Sequence, residues 1–189
     1  MRISSFAVWS LAIAIAGLAG CGGDDGGPDP LSCDSYCTTI MANCTGAANQ
    51  QYGSMADCMT SCQKYPLGEA VGDTGDNTLG CRAYHATGAM SLPDVHCRHA
   101  GPGGDGVCGA NCAGFCTLVL GSCTGTNTQY NGDMTTCMNS CNSFSTTPSY
   151  SASATSGNSF ACRLYHATAA SGNAGVHCAH TAATSATCN

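Results

Sequence analysis

CRAYHATGAMSLPDVHCRH, residues 81–99, and CRLYHATAASGNAGVHCAH, residues 162–180, are two versions of one stretch. Each reads Cys-Arg-x-Tyr-His-Ala-Thr, leaves ten residues between its first and second histidine, and closes on His-Cys-x-His. The agreement extends outward. Cys33, Cys37, Cys44, Cys58, Cys62, Cys81, Cys97 and Cys108 are followed by Cys112, Cys116, Cys123, Cys137, Cys141, Cys162, Cys178 and Cys188. The offset is 79 through the first five, then 81, 81 and 80, so the chain is an internal duplication with a two-residue insertion between Cys141 and Cys162. Two copies are too few for a solenoid and read as two small modules in tandem.

Local signals within each copy are helical. Ser32 is placed to cap a helix from Cys33 to Cys44, with Gly46 as its stop. Cys33, Cys37 and Cys44 then share one stripe with Ile40 and Met41. Ser54, replaced by Asp133 in the second copy, opens a helix that carries Cys58 and Cys62 and stops at Pro66. Asn77-Thr78 and Asn158-Ser159 open a third, carrying Cys81, Arg82, Tyr84 and His85 in the first copy. Alternating strand patterns are scarce. The fold expected is mostly α, small and disulfide-rich, with about three short helices per module and Gly/Pro-rich joins such as Gly101-Pro102-Gly103-Gly104. The Ser/Thr/Ala-rich stretch 145–158 reads as a solvated, mobile loop.

Seventeen cysteines among 189 residues point to a disulfide or metal scaffold. Charged residues make up only 8%, and Lys64, Arg82, Arg98 and Arg163 are the basic groups beyond Arg2. Four scattered cations form no basic patch, which excludes nucleic acid as a partner. Modules this small, with few large apolar side chains, need staples, and each native bridge typically contributes ~2–4 kcal/mol.

The seventeenth cysteine sits apart. Met1-Arg2 is a minimal positive start, and Phe6 to Ala19 is an uncharged apolar run, too short to span a bilayer well. It ends in Leu18-Ala19-Gly20-Cys21, which resembles the lipobox of bacterial lipoproteins. That resemblance implies cleavage by signal peptidase II before Cys21 and a diacylglycerol on its thiol. The tether that follows, Gly22-Gly23-Asp24-Asp25-Gly26-Gly27-Pro28-Asp29-Pro30, would reach about 17 Å as a flexible chain. Two or three acyl chains hold a protein at a membrane durably, and Gly22 after Cys21 favours the outer membrane by enterobacterial sorting habits. The organisation expected is a leader over 1–20, anchor and linker over 21–31, and modules over 32–109 and 110–189.

The paired C-x3-C motifs on successive helices also resemble the helical hairpins of twin-C-x3-C proteins, in which an inner and an outer disulfide clip antiparallel helices. The resemblance implies Cys37 with Cys58 and Cys33 with Cys62, leaving Cys44 for Cys81 and Cys97 for Cys108. Eight cysteines allow 105 pairings on their own.

All six histidines, His85, His96, His99, His166, His177 and His180, fall inside the repeated signature. His-x-x-His puts two imidazoles on one helical face, and the earlier histidine offers a third; zinc and copper suit such donors. The plainer reading, and the one favoured on sequence, is a packing and hydrogen-bonding unit with neutral imidazoles and no cofactor. Arg82 and Arg163 are read alike, each anchoring a carbonyl or capping its module.

Catalytic signatures are missing. Asp34 aligns with Ala113, Asp57 with Thr136 and Asp94 with Gly175, so paired carboxylates have no symmetric basis. No Gly-x-Ser-x-Gly, His-Glu-x-x-His or phosphate loop occurs. The sequence therefore reads as a lipid-anchored extracytoplasmic protein rather than an enzyme. Its expected role is structural or adhesive, with a protein or glycan partner, and the rival role is copper or zinc binding through the histidines. It loosely resembles the cysteine-rich lipoproteins of large-genome Gram-negative bacteria, a likeness that carries no activity with it.

Overall fold

A computed structural model describes residues 30–68 and 73–189. The leader, Cys21 and all of the linker but Pro30 and Leu31 lie outside the described residues. Eight α-helices and no strand occur among them. In the first module these are α1 (Cys33–Asn43), α2 (Met55–Cys62), α3 (Leu79–Gly88) and α4 (Pro93–Ala100). The second repeats them as α5 (Asn111–Ser122), α6 (Met134–Cys141), α7 (Phe160–Ala170) and α8 (Ala174–His177), the last continuing as a 3-10 turn over Cys178–Thr181. The small, helical, disulfide-rich fold expected from the sequence is the one observed.

Start signals sit where the sequence places them. The Ser32 hydroxyl accepts from the Ser35 amide at 3.1 Å, and Ser35 returns the bond, closing a capping box on α1. Ser54, Thr78, Asp133 and Ser159 accept in the same way at the starts of α2, α3, α6 and α7. Gly46, at φ +79°, takes the left-handed turn after α1.

One element departs from the expectation of three helices per module. α4 has no side-chain cap, and Leu92 precedes it; Pro93 at its first turn supplies a fixed φ and needs no donor there. It folds back on α3 and changes the disulfides. Cys33–Cys62 and Cys37–Cys58 clip α1 to α2 as the hairpin resemblance implies. The remaining pairs are Cys44–Cys97 and Cys81–Cys108, not Cys44–Cys81 and Cys97–Cys108. The reason is topological: α4 crosses α1 and brings Cys97 to the end of α1, which frees Cys81 for the junction. The second module repeats all four as Cys112–Cys141, Cys116–Cys137, Cys123–Cys178 and Cys162–Cys188. Eight bridges mark an oxidising compartment. Among the described residues no helix is long and apolar enough to cross a membrane.

Apolar packing is thin and organised around sulfur. Tyr36, Ile40, Tyr52 and Leu79 surround the first set of bridges; Phe115, Leu118, Val119, Phe160 and Leu164 surround the second. Tyr65 of the first module packs into the second core, and its hydroxyl donates to the Pro102 carbonyl at 3.0 Å. The same carbonyl accepts from Arg82 at 3.3 Å. Gly114 on α5 lies against it so closely that a Cβ would stand 2.3 Å from the oxygen. A glycine is required there.

Both arginines anchor carbonyls. Arg82 is wholly buried and donates to the carbonyls of Gly101, Thr78 and Pro102 and to Asn77 Oδ1, with its guanidinium 3.8 Å above the Tyr65 ring. Arg163 repeats the arrangement on Ala182, Ser159, Ala183 and Asn158, over Phe144. Backbone oxygens and a ring face thus replace a carboxylate partner.

The 145–158 stretch is not a free loop. The Ala152 amide donates to Gln50 O at 2.8 Å, and the Tyr150 hydroxyl donates to Gln51 O at 2.8 Å. Its composition reads as solvated; its backbone docks across both modules.

Candidate metal centre

The site is built from two helices in each module. On α3, His85 follows Cys81 by one turn, so the Cys81–Cys108 bridge fixes the helix directly beneath the imidazole. On α4, Cys97 points at α1 through its bridge to Cys44, while His96 and His99, three apart, face back toward α3. His85 Nδ1 lies 2.9 Å from His96 Nδ1, and the His85 and His99 ring centres are 5.0 Å apart.

The second module reproduces this with different neighbours. His166 Nδ1 is 2.9 Å from His177 Nδ1 and 3.3 Å from His180 Nδ1. In both modules one nitrogen from each of the three histidines falls within 4.8 Å of the others. The α3 or α7 histidine is buried and the two that follow are half-buried, giving a floor and a rim.

Tautomers follow from the hydrogen bonds. His166 Nε2 meets the Thr155 carbonyl at 3.2 Å, and a carbonyl can only accept, so that nitrogen carries the proton. In the neutral ring Nδ1 is then a bare lone pair directed at His177 and His180. In the first module Thr74 holds the corresponding place, near enough to favour the His85 cation, but no hydrogen bond of normal geometry reaches His85 Nε2. His99 Nδ1 is also buried without a partner. Buried polar atoms left unpaired are costly and uncommon, and a cation held between the rings would satisfy His99 Nδ1.

Burial disfavours the charged form of four of the six imidazoles. Burial pushes His166 down to about 4, with His180 adding to the shift. Burial likewise holds His85 below the usual imidazole range, helped by His99 and His96, and does the same to His99 and His177. Neutral imidazoles are the form that binds metal. Tyr84 and Tyr165 stand edge-on to His85 and His166, at 5.1 and 5.0 Å between centres, and steady the floor rings.

The six histidines named from sequence are therefore gathered into two threefold clusters. The sixteen paired cysteines do not join them as thiolates: Cys81 and Cys108, and Cys162 and Cys188, lie beside the floor histidines but are bridged to each other. Sequence reasoning missed the Thr155 carbonyl and the two bridges, Cys44–Cys97 and Cys123–Cys178, that hold the rim histidines in place. The insertion before Cys162 is the only signal for the former.

Fold and site together define a tandem, disulfide-stapled helical protein with one tri-histidine cluster per module. The chain belongs to the BfoA family, whose C-terminal domain matches residues 30–111 and again 110–188. It is 38% identical over 79 residues to aurasperone B biosynthesis cluster protein A of Aspergillus niger, covering 41% of this chain and 25% of that one. It is 39% identical over 83 residues to bifonsecin B biosynthesis cluster protein A of Aspergillus brasiliensis, covering 41% and 26%. An EGF-like domain-containing protein of Acanthamoeba polyphaga mimivirus is 32% identical over 91 residues, 46% of this chain and 16% of its own length. The matched part thus spans about a quarter or less of each of these relatives. No solved structure matches the chain.

Proposed function

We propose that this protein holds two transition-metal ions, one per module, outside the cytoplasm, and that a lipid on Cys21 keeps it at a membrane. The observation that carries the reading is the convergence of three imidazole nitrogens in each module, 2.9 Å apart for His85–His96 and His166–His177 and 3.3 Å for His166–His180, on a scaffold with sixteen of its cysteines spent in bridges. Nitrogen donors without thiolate or carboxylate suit copper and zinc. Leu18-Ala19-Gly20-Cys21 and the Gly/Asp/Pro tether support bacterial lipidation and an outer-membrane address. The bridges suit a protein that must persist in an oxidising compartment.

Isothermal titration of the oxidised protein with zinc and with copper(II) tests the metal reading. Two saturable sites are expected, falling to one when His96 and His99 are both changed to Ala with helix content retained. Absence of saturable uptake would end it. Palmitate labelling lost on Cys21→Ser tests the anchor.

A structural or adhesive role is compatible with the same scaffold. Tyr84, Met90, Leu92 and Val95, on α3, α4 and the turn between them, are all exposed and favour a protein or glycan partner there.

A further inference from the structure

We infer that each bound metal keeps one coordination position for an exchangeable small anion. The inference rests on the metal reading above and deepens it by naming the class of outside ligand.

The donor count is the first ground. A zinc ion, and four-coordinate copper or cobalt, takes four ligands; closed structural sites supply all four from protein, and open ones supply three. Each cluster brings three nitrogens together, and among the described residues no carboxylate joins either group at ligand distance. Asp105 and Asp57 act on His99 and His177 only as charges. The sulfurs beside His85 and His166 are in disulfides and carry no thiolate charge.

Geometry is the second. With metal–nitrogen bonds of about 2.0–2.1 Å, two ligands at a right angle lie about 2.9 Å apart and two at the tetrahedral angle about 3.3 Å apart. The observed separations are 2.9 Å for His85–His96 and His166–His177 and 3.3 Å for His166–His180. Angles of this size gather the donors on one face of the ion. Two come from positions three apart, on α4 in the first module and on α8 and the 3-10 turn that continues it in the second, and the third from the buried floor, so the face opposite the floor lies at the half-buried rim.

Charge is the third. Three neutral imidazoles leave a divalent ion its full +2, and among the described residues no carboxylate lies within ligand distance to offset it. An anion entering the fourth position is favoured by that charge. A bulky or apolar ligand gains nothing comparable.

The experiment uses the full-length oxidised protein loaded with cobalt(II), desalted, and titrated with sodium azide while the visible spectrum is followed. Cobalt reports coordination directly, and azide is a small, strongly coordinating anion. A saturable spectral change is expected, with both cobalt ions retained after a second desalting. A protein keeping its cobalt but showing no spectral change at saturating azide would overturn the inference while leaving the metal reading intact. Cobalt stripped by azide would overturn it as well. Failure to retain cobalt, zinc or copper would overturn both. His180→Gln should remove the second module's contribution and leave the first, halving the amplitude; an unchanged amplitude would place the azide elsewhere and overturn the inference.

Discussion

His166 Nε2 donates to the carbonyl of Thr155 at 3.2 Å, and that one bond ties the long loop of the second module to its histidine cluster. Its counterpart in the first module, His85 Nε2, is buried, and the Thr74 backbone beside it does not reach normal hydrogen-bond geometry. Outer hydrogen bonds that fix a ligand's tautomer typically matter 10–100-fold in metal affinity. The second module should therefore bind zinc on the order of tenfold tighter than the first. Titration of His96→Ala/His99→Ala, which leaves only the second site, against His177→Ala/His180→Ala, which leaves only the first, checks this. Equal affinities would show that Thr155 contributes nothing.

Arg82 should resist even conservative exchange. Its planar fork reaches three carbonyls and Asn77 Oδ1 while lying on Tyr65, a geometry that a lysine ammonium does not reproduce. Arg82→Lys should cost on the order of 2–4 kcal/mol, because buried carbonyls lose a charged donor. Thermal unfolding of the oxidised protein measures it; a melting point within a degree of the parent's would refute the assignment.

Cys44–Cys97 is the covalent tie between α1 and α4, and it closes 53 residues of sequence separation. The chain-entropy estimate for a loop that long is about 4 kcal/mol. Replacing both cysteines with serine should lower the melting point and release α4, which carries His96 and His99. Metal stoichiometry by elemental analysis should fall from two per chain to one. Two retained ions would mean that the rim histidines do not need this bridge.

Acid should destabilise the metal-free protein in a defined window. His166 is pushed down to about 4 by burial, then by His180, against an ordinary value of 6.5. The unfolded chain then binds the proton more readily, so stability is full above pH 6.5 and declines as pH falls toward 4. The upper bound is about 3 kcal/mol from 1.36 kcal/mol per unit, reduced because the rim is open to solvent. Denaturant titrations across that range check the sign; stability rising on acidification would contradict it.

Much of this architecture is written locally and therefore legible in the sequence. Ser32, Ser54 and Thr78 are short-range cap signals, and they begin helices where they stand. The C-x3-C spacing is equally local, and the hairpin bridges follow it. α4 was less visible because no side chain caps it and its role comes from folding back on α3. Without α4 in place, the partners of Cys44 and Cys81 have no determinant in spacing, which is why those two pairings differ from expectation. The histidines were conspicuous as a pattern, but whether they converge depends on the bridges that position two helices. Thr155 acts through its carbonyl, and a backbone atom leaves no residue-type signature. The 145–158 loop misled for a similar reason, since Tyr150 and the Ala152 amide dock it despite its Ser/Thr-rich composition.

Native mass spectrometry of the full-length oxidised protein after loading with zinc and desalting tests the central claim most directly. The account predicts two zinc ions per chain with all eight bridges closed, and none when His96, His99, His177 and His180 are changed together to Ala. A parent protein that carries no zinc, or a fourfold variant that carries as much as the parent, would contradict it.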